Sequence, residues 1–229
     1  MFGERSVGQR INMAGQPAPL GATPILLGTG NPAKQQTLQW LLEGLPLSPV
    51  TPGRLGLRTV PRERGDTHEA IARAKARDWS RAASALAIAS DGGLLLPALG
   101  TRWDSRHTHR FAGPEADDAH RLRRLLNLMR PYQGPQREAS WIEAVAIADR
   151  GKVLASWELR GATGVIADGP GDTARATGFW AFSVWYFPQF GKTYNQLSPE
   201  ELEALQDHWA RLRVLVRHFF GGYATTGGG

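Results

Sequence analysis

Three short stretches combine residue types that can handle an anion. Thr29-Gly30-Asn31-Pro32-Ala33-Lys34 follows the apolar run Pro24–Leu27 and precedes Leu38, Leu41, Leu42 and Leu45 at helical spacing. A strand, a short loop and a helix in that order leave the first helical amides unpaired and aimed at the loop, where the helix dipole favours negative charge. Thr29 and Asn31 add hydrogen-bond donors beside Gly30, and Lys34 adds a charge one turn in. The Gly-x4-Gly-Lys-Ser/Thr spacing of a P-loop is absent. Ser90-Asp91-Gly92-Gly93 ends a second apolar run, Ala85–Ala89. A carboxylate outside the carboxyl end of a strand can hold Mg²⁺ or deprotonate a water, and Gly92 and Gly93 allow close backbone approach. Glu63-x-Gly65-x-Thr67 sets a second acid ahead of a helix that carries Lys75. Taken singly, these pieces also match an ordinary capped helix, a plain Asp-Gly turn and a solvated helix face.

The elements that must position them read as mixed α/β. Pro24–Gly28 is a buried strand, Pro32 fits the first turn of the following helix, and Leu55–Val60 reads as a second strand. Asp66 or Thr67 caps a helix from His68 to about Ala83 with Ile71, Ala74, Ala76 and Trp79 inward. The Ala85–Ala89 strand is expected to break at Asp91-Gly92-Gly93 and resume at Leu94–Leu96, with an amphipathic helix over Glu115–Met129. Ser140–Ala148 and Lys152–Glu158 flank a hairpin turn at Asp149-Arg150-Gly151, and Gly161–Ala167 reads as another strand. Phe179–Phe187 is an aromatic stretch that suits a core strand, and Ser198-Pro199-Glu200-Glu201 starts a helix running to about Phe220.

Composition bounds the rest. The chain has 229 residues with 41% apolar content, eight Trp and eight Phe, so it can fill a core. The absence of Cys removes disulfides, thiolate metal sites and cysteine nucleophiles. No apolar run reaches the ~18–20 residues of a membrane span and no signal peptide is read, so a cytoplasmic protein without a membrane partner is expected. A net charge of +6 suits an anionic ligand. No aromatic-plus-basic recognition motif accompanies it, so nucleic acid is not expected as a partner. Residues 1–22 and 222–229 read as flexible ends around one domain, 23–221. The scattered histidines show no metal-binding spacing.

In order and spacing these pieces resemble the Ham1-like purine nucleoside triphosphate pyrophosphatases, the inosine triphosphatase family. That family has Thr-Gly-Asn-x-x-Lys after its first strand, as at Thr29–Lys34, and Glu-x-Gly-x-Thr before an Ala-x-x-Lys-Ala helix, as at Glu63, Gly65, Thr67, Ala72, Lys75 and Ala76. Its Asp-Asp-Ser-Gly-Leu is similar to Ser90–Leu94, and its Ser-Ala-Arg-Tyr-Ala-Gly to Thr108–Gly113. Gly178-Phe179 matches the start of its Gly-Phe-Gly-Tyr-Asp-Pro, and Gly191–Glu201 follows its Gly-Lys-Thr-Phe-Ala-Glu-Leu-Ser-x-Glu-Glu. The resemblance implies a mixed, elongated β-sheet flanked by helices, in two lobes with a central cleft. It also implies a homodimer that cleaves a nucleoside triphosphate to the monophosphate and pyrophosphate with Mg²⁺. Thr29, Gly30, Asn31 and Lys34 would then hold the phosphates and Asp91 would be the catalytic carboxylate. Glu63 would share the metal with Asp91, and Lys75 and Arg110 would add positive charge beside Gly92.

Departures cluster at the base-reading end. The family's Asp in Gly-Tyr-Asp-Pro falls on Phe182, its Lys after Glu-Glu on Leu202, and its Ser-His-Arg on Gln206-Asp207-His208; the first Asp of its pair is Ser90. Phe179, Trp180 and Phe182, with His208, would form a more aromatic base pocket with altered specificity, since base discrimination depends on placed hydrogen-bonding groups. The alternative is a catalytically weak nucleotide-binding or regulatory protein on the same fold.

Overall fold

The computed structural model describes residues 22–57, 64–113, 115–171 and 179–226. Among these, seven strands form one sheet in the order β2-β1-β3-β4-β5-β6-β7. The strands are β1 (Thr23–Leu27), β2 (Leu47–Val50), β3 (Leu86–Leu95), β4 (Glu138–Asp149), β5 (Lys152–Ile166), β6 (Trp185–Phe187) and β7 (Lys192–Thr193). β1 runs parallel to both β2 and β3, and the remaining pairings are antiparallel. Five helices join them: α1 (Pro32–Leu42), α2 (His68–Ala83), α3 (Asp118–Met129), α4 (Pro199–Ala204) and α5 (His208–Thr226).

Side-chain alternation along the strands divides the helices between two faces. Ile25 and Leu27 of β1, Ile88 of β3, and Trp141, Val145 and Ile147 of β4 share the main core with buried residues of α1, α3 and α5. The opposite face is lined with small residues: Ala89 of β3 and Ala144, Ala146 and Ala148 of β4 meet Ala72 and Ala76 of α2. Methyl against methyl lets α2 lie close to the sheet, which brings His68 and Lys75 onto Asp91 in the middle of β3.

Several elements differ from the sequence reading. The second strand is Leu47–Val50, while Pro52–Leu55 is a 3-10 turn and residues 58–60 lie outside the described residues. Pro49 hid this strand, but β2 is an edge, where a missing N–H is tolerated. β3 does not break at its glycines; Gly92 and Gly93 stay in register with Glu143 and Ile142. A Cβ on Gly92 would fall 1.9 Å from Glu143 Oε2, and one on Gly93 1.9 Å from the Ser105 carbonyl oxygen, so both glycines serve close packing here. The stretches expected as separate strands at 152–158 and 161–167 are one strand, β5. The β4–β5 turn is as expected, with Arg150 and Gly151 both at positive φ (45° and 86°), the pattern of a two-residue I′ turn.

The aromatic stretch is a 3-10 turn at Trp180–Ser183 followed by the short β6. The last helix is two: α4, opened by a Ser198/Glu201 capping box, and α5, separated by Gln206 at φ 51°. Asp207 starts α5 by accepting the amides of Trp209 (3.0 Å) and Ala210 (3.4 Å). α5 then continues to Thr226, into the stretch expected as a tail, whereas residues 1–21 lie outside the described residues.

Candidate active site

β1 ends at Leu27 while β3 projects beyond it to Leu95, so the loop after β1 sits beside the stretch of β3 that β1 leaves unpaired. Asn31 caps α1, its Oδ1 accepting the amides of Ala33 (2.9 Å) and Lys34 (3.5 Å). The Gln35 amide bonds the Asn31 carbonyl at 2.9 Å, and Pro32 has no N–H. The helix amides expected to face an anion are therefore spoken for, which corrects that part of the sequence reading. The Thr29 hydroxyl, the Asn31 amide and the Lys34 ammonium are the donors the loop side chains bring. Thr29 is buried and braced, its Oγ1 accepting the Asn31 amide at 3.1 Å and its carbonyl accepting Gln35 Nε2 at 2.9 Å.

Asp91 lies on the α2 face of β3, in line with Ala87 and Ala89, and is 6% exposed. Its Oδ2 is 2.7 Å from His68 Nδ1 and its Oδ1 is 3.4 Å from Lys75 Nζ. Burial alone would push this carboxyl up. The hydrogen bond from His68 and the charges of Lys34 and Lys75 outweigh it and hold the pKa below the ordinary 3.8. An ionised carboxylate only accepts, so His68 Nδ1 carries a proton. The opposite nitrogen, Nε2, is 2.9 Å from Ser105 Oγ. Ser105 stands on a 3-10 turn (Ser105–His107) started by Asp104, whose carboxyl the Arg106 guanidinium lowers to about 2.

Thus Lys34, Lys75 and Asp91 converge. Gly92 is in the strand beside them, and Arg110 is exposed on the turn after Ser105–His107. Glu63 lies outside the described residues, and among those described no three His, Asp or Glu side chains cluster as a metal site.

On the sheet's other face a cavity of about 440 Å³ runs beside α1, from Ala33 to Trp40. Phe179, Phe182, Tyr194, Asn195, Asp207 and Trp209 form much of its wall. The rings of Phe179 and Phe182 stack 4.9 Å apart, and Trp141 meets Phe182 edge-on at 4.9 Å. Asp207 Oδ1 accepts the Tyr194 hydroxyl at 2.6 Å while Oδ2 holds the α5 amides. Burial raises the Asp207 carboxyl, but its contacts with His208, Tyr194 and the Ala210 amide bring it below 3.8; burial and this carboxylate push Tyr194 well up. Two of the proposed pocket residues do not line this cavity. Trp180 turns away to stack on Phe111 at 5.6 Å, and His208 is fully buried, 3.1 Å from Asp207.

Two residues of the site were not singled out from sequence. His68 follows the Thr67 cap and shares a helix face with Ile71, Ala72 and Lys75, a spacing that marks it as inward. Glu143, fully buried on β4 with its Oε1 3.8 Å from Lys34 Nζ, is a lone acid in the apolar run 141–148.

Comparison with known proteins places this geometry in a family. The dITP/XTP pyrophosphatase of Yersinia pseudotuberculosis is 31% identical over 193 residues, spanning 84% of this chain and 95% of that protein. The protein of the same name from Thermus thermophilus is 30% identical over 198 residues, spanning 86% and 92%. Among solved structures, a HAM1 protein from Coxiella burnetii superposes with a TM-score of 0.70 at 25% identity, over 86% of this chain and 99% of that one. The Ham1 family profile matches residues 25–216, from within β1 to within α5, so that all of the sheet but the first two residues of β1, the loop after β1 and the buried aspartate fall inside the match: the chain belongs to the Ham1 family.

Proposed function

We propose that this chain is a nucleoside triphosphate pyrophosphohydrolase, releasing pyrophosphate and a nucleoside monophosphate, with a base preference shifted away from that of its relatives. The observation that carries the reading is Asp91: a buried, ionised carboxylate bonded to Lys75 and under the charge of Lys34, in the stretch of β3 that runs past β1 beside the α1 loop. The names of the dITP/XTP pyrophosphatases it resembles support the reaction class.

In this reading Thr29, Gly30, Asn31 and Lys34 hold the phosphate tail, and Lys75, with Arg110, adds charge. Water attacks the α-phosphorus, the bond to the bridging oxygen breaks, and pyrophosphate leaves. Such chemistry needs positioning and charge neutralisation more than covalent help. A carboxylate held ionised below its ordinary pKa is a weak base and a good oxygen ligand for a hard cation, so Asp91 fits Mg²⁺, with Glu63 as its partner by family resemblance. Bound there, Mg²⁺ would neutralise charge on the phosphate oxygens. His68 and Lys75 hold Asp91 in place while the base lies against Phe179 and Phe182 in the aromatic cavity.

The test is a panel of natural, deaminated and modified nucleoside triphosphates with Mg²⁺, scored for pyrophosphate against single-phosphate release. Pyrophosphate release that Asp91→Asn largely abolishes, with the fold intact, is the expected result. Unchanged rates in that variant would remove Asp91 from its role; nucleotide-induced thermal shift without turnover would make the chain a binder. Phe182→Asp is expected to reorder the bases accepted, and an equal loss across all bases would contradict the altered preference.

A further inference from the structure

Glu143 has 0% exposure, the deepest enclosure of any acid among the described residues. A buried carboxylate is costly unless its charge and lone pairs are answered. Oε2 is answered by the indole Nε1–H of Trp141 at 2.8 Å. Oε1 accepts no hydrogen bond although it is closed to solvent, and the cation beside it is Lys34, whose Nζ is 3.8 Å away. The strand opposite makes room for this acid: Gly92 stands across from Glu143, and a Cβ there would be 2.6 Å from the carboxyl carbon. On the same face of β3, the Ser90 hydroxyl is also enclosed and unpaired.

Because Oε1 is sealed from solvent, it acts on what lies in front of it, the Lys34 side chain, which is itself only 16% exposed. Lys34 also lowers the Asp91 carboxyl on the opposite face. Its ammonium is therefore set between carboxylates of two faces, at the point where β3 outruns β1. A lysine is a flexible point charge. Left free in the first turn of a helix it would bind phosphate in any pose; tethered from behind, it can meet charge that develops only in the transition state.

We propose that Glu143 is a positioning residue for Lys34, aiming its ammonium at the phosphate that leaves. This rests on the reading of Thr29–Lys34 as the phosphate-holding loop. Glu143→Gln keeps the shape and an acceptor for Trp141 while removing the charge. Two quantities are read: kcat with the best nucleotide of the panel, and the Kd for inorganic pyrophosphate by calorimetry. The expected result is a fall in kcat of about ten-fold or more, with pyrophosphate affinity within about three-fold of wild type because Lys34 keeps its charge. Lys34→Ala, in contrast, loses both. Unchanged kcat in Glu143→Gln, or equal losses of turnover and pyrophosphate binding, would overturn the proposal.

Should Glu143→Gln fail to fold, Trp141→Phe leaves the acid charged but unanchored and is expected to lower kcat without weakening pyrophosphate binding. Wild-type kcat in that variant would overturn the proposal as well. A wild-type chain that turns over no nucleotide would defeat the pyrophosphatase reading itself, a result distinct from an active chain indifferent to its residue at 143.

Discussion

Asp91 is bonded to groups far from it in sequence, His68 at the start of α2 and Lys75 two turns later, and feels the charge of Lys34 from the first turn of α1. If Asp91 holds the metal as proposed, such partners set its aim as well as its charge, and loss of a partner that orients a metal ligand typically costs about 10–100-fold in affinity or activity. His68→Ala is accordingly expected to lower pyrophosphate release about 10–100-fold while far-ultraviolet circular dichroism stays unchanged; a wild-type rate would reduce the His68–Asp91 bond to a packing contact. Asp91, Lys34 and Lys75 were legible in the sequence because each sits in a short run whose spacing has meaning. His68 and Glu143 were not, since their roles arise from helix-to-sheet packing and strand register. A reader of the linear chain sees a histidine after a cap and an acid among alanines. Trp180 and His208 failed in the opposite sense: aligned segments named them, but the 3-10 turn and the α4–α5 break rotate them into the core.

At the scale of elements, β3 carries the site because two glycines keep it unbroken. Gly92→Ala forces its new methyl onto the Glu143 carboxyl and toward the Ile142 carbonyl oxygen, 2.7 Å from the added Cβ. The expected cost is about 1–3 kcal/mol of overpacking, read as a lower urea midpoint; an unchanged midpoint would mean that β3 and β4 shift apart freely. The cap of α1 separates two duties of one residue. Asn31→Ala should remove about 1 kcal/mol of stability and also weaken pyrophosphate binding. Asn31→Asp should restore the cap without the binding, because its charge opposes the phosphates; recovery of both, by thermal melts and calorimetry, would show that Asn31 acts only as a cap. The strand order followed from few local signals, since β2 is proline-marked and β6 and β7 are three and two residues long. Pairing of such pieces is decided by the sheet they join.

For the molecule as a whole, the buried aspartates Asp91 and Asp207 make stability depend on acid. Asp207 has a folded-state pKa below the ordinary 3.8, so its contribution is present above that value and is lost as the pH falls through the depressed one. Its bonds to Tyr194 and to the start of α5 are expected to contribute about 2 kcal/mol. The melting temperature of Asp207→Ala should therefore trail wild type at neutral pH, and the gap should narrow in acid below 3.8; a constant gap would assign the loss to packing alone. No described helix is long and apolar enough to cross a membrane. The α2 seam is made of alanines, while the α1 face holds the aromatic cavity. In the proposed reading the sheet would separate the phosphate-cleaving side, under α2, from the base-reading side, beside α1, with Lys34 as the contact between them. On that reading, a lineage built this way could retune what it recognises by exchanging rings on one side while keeping Asp91, Lys75 and Lys34 on the other. Divergence between this chain and its relatives should accordingly be uneven, slow under α2 and fast around Phe182.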